Sequence, residues 1–199
     1  MTLLKEFKYE LQSVDKGYAN RTLYINLTTK EIAIRPVTDE MKQKFIGGKG
    51  FDLFLMWNGL PKDHPVKWDD PENEICIASG PLGGSTYYPG SGKSIVTTIS
   101  PLTDQIIDSN VGGYFGPYLK FSGFDALEIQ GKAEKDIVIF INGDDGTISI
   151  EEAVNIPNEA HLLTLNLQNS ILLIKVREKK YVFQLYPQEK ALNIQKLAV

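Results

Sequence analysis

The residues whose types and spacing most clearly suggest a binding site are the glycines in the middle of the chain. Nine of the 17 glycines lie in the 44 residues from Gly80 to Gly123. Glycine tolerates positive φ and lets backbone N–H groups converge on an anion, which is how glycine-rich loops hold phosphate. A set of tight turns between strands would have the same composition. The segment therefore predicts either a phosphate-binding surface or a series of turns.

The run GSGKS at residues 90–94 resembles a nucleotide-binding P-loop, but its spacing does not fit one. A P-loop needs a glycine five positions before Gly92, where this chain has Tyr87. Its lysine should also open a helix, whereas the β-branched residues 95–99 are typical of a strand. The G-x-G-x-x-G pattern of dinucleotide-binding folds is absent from a strand-to-helix turn as well. Both common nucleotide sites are thereby disfavoured.

The elements around this segment are mostly short strands. Residues 22–27 and 31–35 alternate apolar and polar side chains about a turn, which predicts a hairpin. Thr38 is a candidate N-cap for a first helix, and a second helical pattern covers about 51–60. Further strands are predicted at 74–79, 94–100, 126–130, 136–141 and 147–150, with one or two helical turns at 116–121. Because strands and helices do not alternate regularly, we predict an α+β fold with predominantly antiparallel strands.

The composition of the chain argues against nucleic acid and membranes as binding partners. The formal net charge of −4 provides no general attraction for nucleic acid or for an anionic membrane. No apolar run reaches the roughly 20 residues of a membrane span, and the charged N-terminus is unlike a secretion signal, so a cytoplasmic location is expected. The single cysteine, Cys76, lies in an apolar run and is predicted to be a buried structural thiol. His64 and His161 have no partner pattern for a metal or acid–base site.

Several motifs in one order carry a resemblance to a known family. Residues 109–116 (SNVGGYFG) resemble a segment of the N-terminal domain of tungsten-containing aldehyde:ferredoxin oxidoreductases. The other matching segments, in family order, are 45–50 (FIGGKG), 71–74 (PENE), 78–82 (ASGPL), 100–103 (SPLT), 119–125 (LKFSGFD) and 128–133 (EIQGKA). The resemblance covers about residues 17–160 and implies a two-sheet base on which the cofactor lies.

The resemblance also implies a cofactor, tungstopterin or molybdopterin, with a magnesium ion bridging the phosphates of two pterins. By motif position Asn110 would contact the pterin and present its backbone carbonyl to Mg²⁺, a hard cation that prefers oxygen ligands. Val111, Gly112 and Gly113 would bring backbone groups to the pterin edge. Lys93 stands where the family has an arginine and could neutralise phosphate only as a point charge. If these two residues do not bind the cofactor, Asn110 would simply form a turn before the glycines, and Lys93 would be a solvated charge on a loop.

The rest of the family's machinery is not expected in these residues. The cysteines of a [4Fe-4S] cluster and the catalytic acid and base belong to later domains, so a complementary catalytic chain and ferredoxin are the partners implied, and homo-oligomerisation stays open. We divide the chain into a family-like domain at 1–160 and a divergent tail at 161–199. A neighbouring reading frame could encode a family-like continuation from Tyr181 onwards, so a frameshift is our hypothesis for the tail.

Three functions are compatible with these observations. The chain could be the cofactor-binding domain of an enzyme that oxidises aldehydes to carboxylic acids, inactive by itself. It could be a non-enzymatic module that holds a pterin, a phosphate or Mg²⁺. It could also be a folded remnant without activity. The site motifs are the same in all three cases, so the sequence favours the first only through its resemblance.

Overall fold

The computed structural model describes residues 2–87, 89–135 and 137–152, together with the backbone of residues 170–176 and 179–184. In chain order the elements are β1 (Thr2–Lys8), β2 (Arg21–Asn26), β3 (Glu31–Pro36), α1 (Asp39–Phe45), α2 (Lys49–Gly59), β4 (Glu74–Ala78), β5 (Ser94–Ile99), β6 (Ile106–Val111), α3 (Phe115–Phe121), β7 (Ala126–Gln130), β8 (Ile137–Asn142), β9 (Thr147–Glu152), β10 (Ser170–Val176) and β11 (Lys179–Gln184).

The strands form two sheets. One has six strands in the order β3-β2-β7-β4-β5-β6, and the other has five in the order β1-β9-β8-β10-β11. Among the described strands, only β2 with β7 and β8 with β10 pair in parallel; the other pairs are antiparallel. The predicted α+β class, with mostly antiparallel short strands in two sheets and a few helices, is confirmed.

The six-stranded sheet is covered on both faces. Alternation along β4 directs Ile75 and Ile77 toward the five-stranded sheet and α3, and directs Cys76 and Ala78 toward α1 and α2. Two apolar cores result, one on each face. A strand buried on both faces reads as a continuous apolar run, which explains the sequence of β4.

Helix α1, on the outer face, begins at the residue where its sequence provides a cap. The Thr38 hydroxyl accepts a hydrogen bond from the Met41 amide at 3.1 Å, which satisfies one unpaired donor at the start of α1. Between α1 and α2 the chain takes positive φ at Ile46, Gly47 and Gly48. This turn directs α2 across β4 and β5, where Phe51 and Met56 are fully buried.

Sequence patterns did not predict every strand. β1 and β6 were not predicted, and both lie at sheet edges, where exposed residues break the apolar alternation. The predicted boundary at residue 160 lies outside the described residues and stays a prediction. Two strands from the tail, β10 and β11, extend the five-stranded sheet. In the described part of the chain, none of the helices has the length and apolar character needed to cross a membrane.

Candidate functional site

The pairing of β5 with β6 brings Lys93 close to Asn110. In this antiparallel pair Ile95 lies opposite Asn110, so continuing the register by two residues places Lys93 opposite Gly112. The Lys93 ammonium nitrogen is 3.9 Å from the point that a Cβ on Gly112 would occupy. Lys93 is 17 residues from Asn110 and 19 from Gly112 in the sequence, and the β5–β6 hairpin, which the sequence did not predict, brings them together.

Gly92 and Gly113 hold the two sides of this hairpin end together. A Cβ on Gly92 would collide with the backbone carbonyl oxygen of Gly113 and would lie 3.5 Å from its carbonyl carbon. Gly113 has φ of +95°, a conformation that residues with a Cβ rarely adopt. These two glycines are therefore required by the backbone geometry, one for close approach and one for its φ.

The surface beside the hairpin end is open backbone. Nothing lies within 4 Å of the point that a Cβ on Gly113 would occupy, and Gly112 has only the Lys93 ammonium near that distance. Asn110, Gly112 and Gly113 are exposed, whereas the half-buried Val111 packs its side chain against the core. Bare peptide groups beside one cation can accommodate a planar anionic group, because no side chain blocks the approach. The chemistry of a phosphorylated pterin fits this surface.

Several aromatic residues lie near the glycines in sequence. Tyr87 is 99% exposed and Tyr114 is 65% exposed. Phe115, by contrast, is buried in the core between the sheets and contributes volume there. Tyr88 lies outside the described residues. Tyr87 and Tyr114 therefore offer exposed ring surface in the glycine-rich segment.

The glycine-rich loop from residue 80 to residue 93 is tied to itself and to α3. The Gly84 amide donates to the Ser91 carbonyl at 2.9 Å, and the Ser91 hydroxyl donates to the Ser85 carbonyl at 2.8 Å. The Phe121 ring lies against Gly84, where an added Cβ would be 2.9 Å from the ring. The loop that carries Lys93 is therefore ordered by its own backbone and by the helix that follows the site.

A second lysine stands near Asn110 on the same face of β6. The Lys49 ammonium at the start of α2 contacts an Asp108 carboxylate oxygen at 2.5 Å. Asp108 and Asn110 are two residues apart and share a face of the edge strand. Gly48, which precedes α2, lies next to Ile95. The start of α2 thus borders the candidate site, in keeping with a packing role for the glycines at 47–50.

A row of acidic side chains lies beneath α2, and sequence analysis did not identify it. Asp52, Glu74 and Glu128 are each at most 1% exposed. Glu128 accepts hydrogen bonds from Thr22 and Arg35, both at 2.7 Å. Glu74 and Glu128 alternate with isoleucine and leucine along β4 and β7, which was the available signal, but this alternation would have placed both acids in water.

Burial raises the pKa of each of these three carboxyl groups. Burial, together with the nearby Glu128 carboxylate, raises the pKa of Glu74 to about 8. Neither Glu74 oxygen accepts a hydrogen bond among the described residues, although the Cys76 thiol is close enough to favour the charged form slightly. Burial also raises the pKa of Asp52, whose one hydrogen-bonded oxygen accepts from Thr97 at 2.9 Å. Glu74 is therefore a neutral acid over much of the physiological range.

Of the remaining thiol and imidazole groups, Cys76 and His64 lie in the described residues. Cys76 is fully buried, and burial raises its thiol pKa, so it is a structural thiol as predicted. His64 is exposed and contacts only Asp63 and Glu72 in the described residues, at 2.9 and 3.0 Å. His161 lies outside the described residues. The described part of the chain contains no cluster of three or more histidine, cysteine or acidic residues arranged to hold a metal ion.

Comparison with known proteins gives consistent matches over this region. Residues 22–180 match the family described as aldehyde ferredoxin oxidoreductase, N-terminal domain. A tungsten-containing aldehyde ferredoxin oxidoreductase from Pyrococcus furiosus is 40% identical over 140 residues, which is 70% of this chain and 22% of that protein. The WOR-like subunit of an aliphatic sulfonate oxidoreductase from the same organism is 33% identical over 142 residues, covering 69% of this chain and 21% of the subunit.

A solved structure shares the fold. The active-site complex BamBC of benzoyl-coenzyme A reductase, in complex with 1,5-dienoyl-CoA, superposes with a TM-score of 0.63 at 30% sequence identity. The match covers 69% of this chain and 20% of that one. The chain thus spans about a fifth of the length of the curated relatives named above. Because the family match takes in most of the chain, including both sides of the glycine-rich hairpin, this protein belongs to the aldehyde ferredoxin oxidoreductase family and carries its N-terminal domain.

Proposed function

We propose that this chain binds a phosphorylated pterin cofactor, tungstopterin or molybdopterin, on the open backbone at the end of the β5–β6 hairpin. The observation that carries the proposal is the juxtaposition of Lys93 with the exposed peptide groups of Gly112 and Gly113. The ammonium would neutralise a phosphate, and the peptide groups would lie along the pterin edge. The relatives named as tungsten-containing favour tungsten as the metal.

Asn110 is the proposed contact for magnesium. On an edge strand, alternate residues direct their N–H and C=O groups away from the neighbouring strand, so carbonyl oxygens of β6 are available to a cation. Mg²⁺ takes oxygen ligands and retains several waters. A single backbone carbonyl is therefore enough as the protein's contribution to its coordination. The bound metal–pterin group would supply the redox chemistry, while this chain would hold and orient its phosphates.

The full reaction that we propose is oxidation of an aldehyde to a carboxylic acid, with electrons passed to ferredoxin through a [4Fe-4S] cluster. The thiolates for such a cluster must come from outside these residues, because the chain has one cysteine and a cluster takes about four thiolates. We therefore propose a complementary catalytic chain as partner and the cytoplasm as location. The exposed ring of Tyr114, next to Gly113, is consistent with such a partner at the site, and Leu102 and Ile106 expose apolar side chains at the other end of the same hairpin.

Replacing Lys93 by methionine tests the cofactor site directly. We expect the affinity of the purified chain for 6-hydroxymethylpterin diphosphate with Mg²⁺ to fall about tenfold, or about 1.4 kcal/mol, because the substitution removes one charge and keeps the side-chain length. Isothermal titration calorimetry measures the change. Lys44→Met is the matched control, since Lys44 lies on the exposed side of α1. Equal affinity of the Lys93 variant and the wild type would remove Lys93 from the site.

The partner is tested by purification from the native host. We expect a tagged chain to retain a cysteine-rich subunit, and elemental analysis of the complex to detect tungsten or molybdenum together with iron. Recovery of the chain alone and free of metal would contradict the enzymatic proposal. In that case the titration with pterin diphosphate decides between a binding module and a remnant, because only the module takes up the ligand.

A further inference from the structure

The ammonium of Lys120 is a buried charge outside the candidate site with a full set of hydrogen-bond acceptors. Its side chain is 2% exposed. The nitrogen donates to the carbonyl oxygens of Gly17 at 2.6 Å and Gly80 at 2.7 Å, and lies 3.5 Å from a carboxylate oxygen of Asp125. An ammonium has three donors, so these three acceptors satisfy it. Two separate loops are thus attached to one side chain of α3.

Asp125 connects a third group of backbone atoms to this ion pair. Its two carboxylate oxygens accept from the amides of Ala19 at 3.0 Å and Asn20 at 2.7 Å. Burial lowers the pKa of Lys120, and the Asp125 carboxylate opposes that shift. Removing the lysine would therefore leave a buried carboxylate and two buried carbonyl groups without their cation, which is costly in a low-dielectric interior.

Close backbone contacts show how tightly the loops meet at this point. A Cβ on Gly17, which has φ of +85°, would collide with the Pro81 carbonyl oxygen. A Cβ on Gly47 would be 3.0 Å from both the Cα of Gly80 and the Ser79 carbonyl oxygen. The start of the glycine-rich loop is consequently enclosed between two other turns, with the Gly80 carbonyl directed at Lys120.

Helix α3 links this ion pair to the other end of the same loop. The helix begins two residues after Gly113. Gly116, in its first turn, packs against Ser94, next to Lys93. Phe121, in its last turn, packs against Gly84. One short helix therefore touches the beginning, the middle and the end of the segment that carries Lys93.

We infer that Lys120 is a positioning residue for the anion site, orienting the glycine-rich loop through the Gly80 carbonyl so that Lys93 stands beside Gly112. The identity of the ligand rests on the proposed function. The ordering of the loop by Lys120 does not depend on any ligand. Lys120 itself is buried and does not contact the open backbone surface, so it acts on the site only through the loop.

The test compares the wild-type chain with Lys120→Met, which keeps the length of the side chain and removes its donors. We expect hydrogen exchange of the amides at 82–87 to accelerate at least tenfold while amides of the β2–β3 hairpin keep their rates. We also expect the affinity for 6-hydroxymethylpterin diphosphate with Mg²⁺ to fall about tenfold. Ile148→Val is the control for lost stability, because it lowers the melting temperature from the core of the five-stranded sheet, away from this loop.

Each outcome decides the inference. Unchanged exchange at 82–87 in Lys120→Met overturns it, and so does an equal loss of affinity in Ile148→Val. If the wild type does not bind the diphosphate, the proposed function fails and the exchange rates alone decide the role of Lys120. If Lys120→Met does not fold, Lys120→Gln replaces it, because glutamine keeps a polar end but is too short to reach the Gly17 and Gly80 carbonyls and carries no charge. Faster exchange at 82–87 in that variant supports the inference, and unchanged exchange refutes it.

Discussion

Replacing Glu74 by glutamine is expected to stabilise the protein above about pH 8 and to have the opposite effect near pH 5. Glu74 is fully buried at the start of β4, and its carboxyl group lies against Gly59 at the end of α2. Neither oxygen has a hydrogen-bond partner among the described residues. The ionised form is therefore poorly accommodated in the folded protein.

The direction of the pH dependence follows from the two pKa values. Burial raises the pKa of Glu74 from its ordinary value of 4.5 to about 8 in the folded chain. Below about pH 4.5 the group is neutral in both states and its ionisation costs nothing. Between the two values the unfolded chain gains a charge that the folded chain does not, so the free energy of unfolding falls as the pH rises. Above about pH 8 the full penalty, about 5 kcal/mol, is present.

Thermal and urea unfolding between about pH 5 and pH 8.5 measure this effect. Glutamine buries one more unpaired donor than the neutral carboxyl group does, at a cost of about 1–3 kcal/mol, so the variant should be less stable than the wild type near pH 5. Near pH 8.5 it should be more stable by about 2–4 kcal/mol, which is several degrees in melting temperature for a chain of this size. Glu31→Gln, on the exposed end of β3, is the control. Parallel stability curves for wild type and Glu74→Gln would show that Glu74 is not neutral in the folded state.

The acid row also shows why part of the structure could not be predicted. The short apolar run of β4 correctly identifies a strand, but it does not reveal what covers the face with Glu74. The helix that covers it, α2, begins only 25 residues earlier, yet its position over β4 depends on the turn at residues 46–48. The parallel pairing of β2 with β7 joins residues more than 100 positions apart, and no local pattern specifies it.

The candidate site was partly predictable for a physical reason. Glycines must occupy positions of close approach or positive φ, so Gly92 and Gly113 leave a trace in the sequence. The strand β6 gives no such signal, because most of its residues are exposed and Asp108, Ser109 and Asn110 interrupt an apolar alternation. Sequence analysis therefore named the residues of the site as a group, whereas the register between β5 and β6 explains why Lys93 and Asn110 are neighbours. Their role toward the cofactor stays a prediction.

Gly92→Ala should eliminate most ligand binding at this site. The added methyl group would overlap the Gly113 carbonyl oxygen, which is backbone and can move only if the hairpin end opens. Opening separates Lys93 from the exposed peptide groups at Gly112 and Gly113, so we expect the affinity for 6-hydroxymethylpterin diphosphate with Mg²⁺ to fall about thirtyfold or more, roughly 2 kcal/mol. The same clash should reduce the free energy of unfolding by about 1–3 kcal/mol.

Gly80→Ala separates the clash from the mere loss of a glycine. Gly80 lies in the same loop and has nothing within 4 Å of its Cβ position, so a methyl group fits there without moving backbone. We expect this variant to bind the diphosphate within about twofold of the wild type, since its carbonyl still accepts from Lys120. Calorimetric titration of both variants beside the wild type measures the contrast. If Gly92→Ala binds as tightly as Gly80→Ala, the contact between Gly92 and Gly113 does not shape the site, and the ligand surface must lie elsewhere on the six-stranded sheet.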